Sequence, residues 1–227
     1  MQKISKSILN ISPKNLAIYL IIYPLILVFF HTIFSFTYRN KYGFNDVSTG
    51  IISTLLTITL LLFVLPLLLW LLWLRATTLS VKSSELGIPV KWFHVAFCLF
   101  LFYLICNASY STLVEFLKNR AEDYVWILYA SRETINFIGL LILYPILCHY
   151  SARSIYVHKT KAAATFSNSI VFTLLLIFIP IAMPFLHKYV SPVEVKNSQL
   201  IIIYGIGFGI VCVIFVMALI ASFTGII

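Results

Sequence analysis

The sequence predicts an all-α integral membrane protein, a polytopic bundle of about six transmembrane helices with both termini in the cytoplasm. Three observations lead there. The 227 residues are 61% hydrophobic and 10% charged, with a mean hydropathy of +1.02, whereas soluble domains carry roughly 25% charged residues. The apolar residues fall in runs of about 20, the helix length that crosses the hydrocarbon core. The runs are continuous rather than alternating, unlike the strands of a membrane barrel. No separate soluble domain of ordinary size fits beside them, so residues 1–227 read as one transmembrane domain.

The spans follow in order. Lys3, Lys6 and Lys14 precede the first, about 16–38, which is too long for a signal-peptide core and lacks a small-residue cleavage site, so it reads as uncleaved. The second covers about 51–74, the third 92–112, the fourth 125–150, the fifth 168–187 and the sixth 200–223. Trp70 and Trp73 close the second, Trp92 opens the third and Trp126 lies near the outer edge of the fourth, as interfacial belts favour. Beyond the third span, "SYSTLVEFLKNRAEDY" has a helical apolar stripe, with Glu115, Lys118 and Glu122 spaced for pairing, so this helix is expected to continue past the headgroups. Pro24, Pro66, Pro145, Pro180 and Pro184 interrupt four spans and read as kinks.

Orientation rests on lysine and arginine. Three lie before the first span; Arg75, Lys82 and Lys91 lie between the second and third; Arg153, Lys159 and Lys161 follow the fourth. The opposite side holds Arg39, Lys41, Lys118, Arg120, Lys188 and Lys196, a bias of nine against six. The basic segments are therefore cytoplasmic loops that meet anionic lipid, and the +9 net charge does not imply nucleic acid. Segments around Pro66–Lys82 and Pro145–Lys161 match at an offset of 78 or 79 residues, the trace of a duplicated hairpin.

Four polar residues stand inside apolar sequence. "YASRETINFIG" puts Arg132 and Glu133 side by side and Asn136 one turn on; Asn107 sits deep in the third span. If the fourth helix starts near Tyr124, the charged pair lies about 12–13 Å inside; if the chain first runs flat along the interface, the pair is shallow. Neighbours on a helix point about 100° apart, so each charge needs its own partner. A mid-membrane charge costs roughly 2.5–3.5 kcal/mol. Two readings follow: a polar site near the outer half of the bundle, or a structural network with Glu115, Lys118, Arg120 or Asp123. His31 and His94, near opposite ends of their spans, read as interfacial groups. Cys98, Cys106, Cys148 and Cys212 have no paired spacing and read as small core residues. No cofactor or metal set is apparent.

In the sixth span, Gly205 and Gly209, then Ala221 and Gly225, share one stripe broadened by Gly207. Such a small-xxx-small face admits another helix at close range. Arg153 and His158 read R-x4-H, which resembles the motif of HEPN ribonucleases, where Arg and His assist attack by a ribose hydroxyl. The resemblance covers six positions and implies a membrane-bound ribonuclease; the soluble helical bundle of that family has no room in this chain.

Three functions fit. The first is a non-catalytic membrane subunit (a sensor, anchor or scaffold) that assembles with itself or a soluble cytoplasmic partner. The second is a homo-oligomeric channel or small carrier, for which Asn107, Arg132, Glu133 and Asn136 are the main polar lining. The third is a membrane-bound enzyme, for which no paired carboxylates, His cluster or Ser/Lys dyad stands at depth. The first is favoured. Residue usage rich in Ile, Phe, Tyr, Asn and Lys is what AT-rich codons yield, which suits a bacterial inner membrane and, among its settings, a defence system.

Overall fold

The computed structural model describes residues 2–42, 46–118, 125–178 and 180–223, which form helices and connecting turns with no strand among them. Among the described residues, five helical segments are long and apolar enough to cross a membrane: Pro13–Thr37, Ser53–Thr78, Val90–Tyr110, Tyr129–Thr160 and Asn197–Ile220. The chain is a multi-pass membrane protein. It divides into two compact units, Met1–Ala76 with Ile181–Ile227, and Thr77–Pro180.

The first unit opens with α1 (Gln2–Leu9) and α2 (Pro13–Ala17). Ser12 caps α2 by accepting the Asn15 N–H at 3.2 Å, and Pro13 occupies the first turn, where its missing N–H costs nothing. A wide π turn over Ile18–Ile22 leads into α3 (Tyr23–Tyr42). The turn lies just before Tyr23-Pro24, where the proline ring would strike a carbonyl of the preceding turn and widening relieves the clash. In α4 (Asp46–Thr78) the hydroxyls of Thr54, Thr57 and Thr59 donate to carbonyls four residues back, which satisfies them in apolar surroundings. Two short α-helices come later in the chain: α5 (Ser83–Leu86) in the second unit, and α10 (Met183–His187) in the first.

The last helix, α11 (Asn197–Phe223), runs parallel to α2 and α3. Leu200 and Ile203 pack on Ala17 and Ile21. Further along, a Cβ on Gly207 would touch Ile21 and Leu25, and beyond it the two helices diverge around a cavity lined by Ile26, Phe29, Phe30, Gly209 and Val213. Six alternating spans would make the first and last antiparallel; these two point the same way.

In the second unit, α6 (Val90–Lys118) packs antiparallel to a long helix made of α7 (Val125–Asn136), a π turn (Phe137–Leu143) and α8 (Tyr144–Thr160). Phe93, Phe97, Phe100 and Tyr103 share one face of α6, at spacings of three and four. Phe93 meets Tyr150 at 5.6 Å between ring centres and Phe100 meets Tyr144 at 6.3 Å. This second π turn also precedes a Tyr-Pro pair, Tyr144-Pro145. Helix α6 continues past Tyr110 to Lys118, as its sequence led one to expect; the Glu115, Lys118 and Glu122 side chains lie outside the described residues.

Two boundaries differ from expectation. The fourth span stays helical to Thr160 rather than ending near Tyr150, so Arg153, His158 and Lys159 are helical, as is Arg75 in α4. The expected fifth span, 168–187, is not one helix. It comprises α9 (Phe166–Phe178), a 3-10 turn (Pro180–Ala182) and α10. Thirteen residues reach about 20 Å, short of the ~30 Å core. Pro180 has no N–H for the Leu176 carbonyl, and the Tyr144 hydroxyl donates to it instead at 2.7 Å. Within the first unit, the Tyr204 hydroxyl donates to the Ile181 carbonyl.

Candidate functional site

Of the four intramembrane polar candidates, the structure joins two. Asn107 Nδ2 donates to Asn136 Oδ1 at 3.1 Å and to the Tyr103 hydroxyl at 3.2 Å. The helices can approach because Gly139 presents no side chain: a Cβ there would sit 2.5 Å from the Tyr103 ring. Arg132 turns elsewhere. Its guanidinium lies over the Tyr110 ring, 4.6 Å from the centre, and Tyr110 meets Tyr129 edge-on at 6.2 Å. Tyr110 ends one apolar segment and Tyr129 begins the next. The arginine is thus near the edge of the apolar zone, where a cation–π contact offsets part of its desolvation. Glu133 is exposed. The side chains of Glu115, Lys118, Arg120 and Asp123 lie outside the described residues, so the expected outer network is not described.

At the opposite end of the second unit, α8 clamps the turn after α4. Thr78 and Ser151 hydroxyls are 3.1 Å apart; Ser80 Oγ meets Ser154 Oγ at 3.2 Å and His158 Nε2 at 2.8 Å; the Ser80 and Ser154 hydroxyls both donate to the Thr77 carbonyl. The same helix holds the loop around α5: Tyr150 donates to the Pro89 carbonyl at 2.9 Å and Arg153 Nη1 to the Leu86 carbonyl at 2.8 Å. Gly87 turns this loop with φ +68°, and a Cβ there would meet the Ala164 carbonyl at 2.8 Å. Arg153 is 5% exposed, and its Nε has no hydrogen-bond partner among the described residues. Arg153 and His158 are five residues apart, about 140° around the helix, and bond different elements. The R-x4-H pair is not brought to one point. Of the other basic candidates, Lys91 lies over Trp92 at 5.6 Å and Lys159 over Phe172 at 5.3 Å. Lys82 precedes α5, and Lys161 ends α8 in the left-handed region, φ 60°. Sequence reasoning passed over Ser151 and Ser154, although with His158 they form a stripe at spacings of three and four.

The first unit holds a node that sequence reasoning also missed. Trp73 Nε1 donates to His187 Nδ1 at 2.9 Å, and His187 Nε2 lies 2.8 Å from the Ile11 carbonyl. An acceptor at Nδ1 and a donor at Nε2 define neutral imidazole in one tautomer. His187 is fully buried, and burial pushes its pKa below the ordinary histidine value, the Ile11 carbonyl pulling weakly the other way. Trp73, expected in an interfacial belt, is fully buried. His31 lines a cavity of about 480 Å³ between α3 and α4 with Thr37 and Thr59.

On α11, Cβ atoms added at Gly205 or Gly209 would meet none of the described residues within 4 Å, whereas Gly207 is filled by Ile21, Leu25 and Ile22. The Ala221 side chain and Gly225 lie outside the described residues. All four cysteines are free, and the described residues contain no group of three potential metal ligands. Compared with protein families, curated proteins and solved structures, the chain matches none.

Proposed function

We propose that the chain is a non-catalytic integral membrane subunit of the bacterial inner membrane, a sensor, anchor or scaffold that assembles with itself, a soluble cytoplasmic partner, or both. The observation that carries this is the open Gly205/Gly209 face of α11 beside the filled Gly207. Helix association in lipid depends on close packing and hydrogen bonds rather than apolar burial. A glycine pair with no described residue within 4 Å of its added Cβ atoms is suited to a second copy. The polar groups in the spans support it too: Asn107, Asn136, Tyr144 and Tyr204 bond within their own units instead of lining a path. The basic ends of α4 and α8 fit contact with anionic lipid or a cytoplasmic partner.

Cysteine cross-linking tests the reading. Gly205→Cys in native membranes is expected to give a disulfide-linked dimer under mild oxidation, and Gly207→Cys is not. Equal yields from both positions would remove α11 as an interface. A second reading, a homo-oligomeric channel or small carrier, is favoured by the broken segment between α9 and α10, since carriers place broken helices at their binding sites. Solute flux through reconstituted protein distinguishes it from the first.

A further inference from the structure

We infer that residues 166–187 form a re-entrant element that enters and leaves the bilayer on one side, so that Lys188 and Lys196 belong to the same basic, partner-facing side as the start of the chain. The argument is one of parity. In the first unit, Ile11, Trp73 and His187 are joined by hydrogen bonds. Ile11 precedes the first span, and Trp73 lies near the end of the second, so the chain returns near Trp73 to the side from which it set out. His187 lies on that side too, and α11 leaves it again, because α11 runs parallel to α2 and α3 with Leu200 beside Ala17.

Between Trp73 and His187 the number of full crossings is therefore even. Val90–Tyr110 and Tyr129–Thr160 supply two. Residues 166–187 must then supply none. Their depth agrees within each unit. Helix α9 ends beside Tyr144, near the middle of the Tyr129–Thr160 segment. Ile181 is held by Tyr204, seven residues or about 10 Å into α11. The segment turns back part-way.

Charge supports the same path. Eleven lysines and arginines now lie on the side of the chain's start, against Arg39, Lys41, Lys118 and Arg120 on the other. Six crossings give nine against six; five crossings and one re-entry give a much stronger bias, in the direction membranes impose. The cytoplasmic surface of the proposed subunit then includes residues 188–196, which suits anionic headgroups, and α11 ends on the opposite side. The surface assignment rests on the proposed function; the parity argument does not.

Single cysteines read this directly. Cys98, Cys106 and Cys212 are replaced by alanine, and the buried Cys148 is kept as inert to reagent. Lys6→Cys and Lys41→Cys mark the two sides, and Glu194→Cys is the test, with Ser198→Cys, also exposed, as a second reporter. In intact cells and inverted vesicles, an impermeant maleimide should label positions 194 and 198 from the same side as position 6. Labelling from the side of position 41 would make 166–187 a crossing and overturn the inference. Either result leaves the cross-linking test of assembly untouched, so the two readings fail separately.

Discussion

Gly139→Ala should loosen the contact between α6 and the α7–α8 helix. The added Cβ would lie 2.5, 2.6 and 2.7 Å from three Tyr103 ring carbons, and ordinary carbon contacts begin near 3.5 Å. The helices must separate by about 1 Å or the ring must leave its rotamer. Tyr103 is 6% exposed and has little room to turn. Asn136 lies one turn from Gly139 and Asn107 one turn from Tyr103, so the same separation stretches their 3.1 Å bond to about 4 Å and breaks it. Overpacking costs about 1–3 kcal/mol, and an interhelical hydrogen bond in lipid contributes about 0.6 kcal/mol. The expected loss is about 2–3 kcal/mol, read by reversible denaturant unfolding in bicelles. Tyr103→Leu, which opens the site, should make the double variant less destabilised than the sum of the two singles. Wild-type stability for Gly139→Ala, or strict additivity with Tyr103→Leu, would refute the reasoning.

Other positions give further tests. The folded pKa of His187 lies below its unfolded value near 6.5, so the unfolded chain binds more protons as pH falls below about 6.5. Its contribution to stability should be constant above that pH and decline below it. His187→Gln, which can still accept from Trp73 and donate to Ile11, should flatten this part of the profile; an unchanged slope would place the titration elsewhere. Gly207→Leu should lower chain stability by about 1–3 kcal/mol through overpacking, while Gly209→Leu should leave it unchanged and reduce dimer cross-linking. Arg153→Met should free the Leu86 carbonyl and speed tryptic cleavage after Lys82, as should Gly87→Ala, whose left-handed backbone and 2.8 Å contact with Ala164 both oppose a side chain.

Hydropathy and length were enough to predict the class and to place four of the five long apolar helices to within a few residues, because a bilayer demands about 20 apolar residues at each crossing. The other, Tyr129–Thr160, outran its predicted end at Tyr150. Its last turns are helical because Ser151, Ser154 and His158 find partners at Thr77, Thr78 and Ser80, a pairing that no window of hydropathy contains. The 168–187 run read as one continuous helix because composition does not register what Pro180 and Pro184 do to successive carbonyls. Tyr144 and Tyr204, which satisfy two carbonyls there, are far away in sequence. Asn107 and Asn136 were legible as polar residues at depth, and their meeting needed only the facing glycine at 139. Arg132 was legible as a charge needing a partner, but the aromatic face that takes it, Tyr110, carries no charge pattern to search for. His187 was hidden because a histidine beside Lys188 reads as a solvated end until the fold brings Trp73 and Ile11 to it.

The mass and composition of the complex drawn from native membranes in a mild amphiphile test the central claim most directly. A subunit built to assemble should emerge as a homo-oligomer or with a soluble protein at fixed stoichiometry, and Gly209→Leu should shrink a homo-oligomer. A monomer free of other proteins would contradict the account.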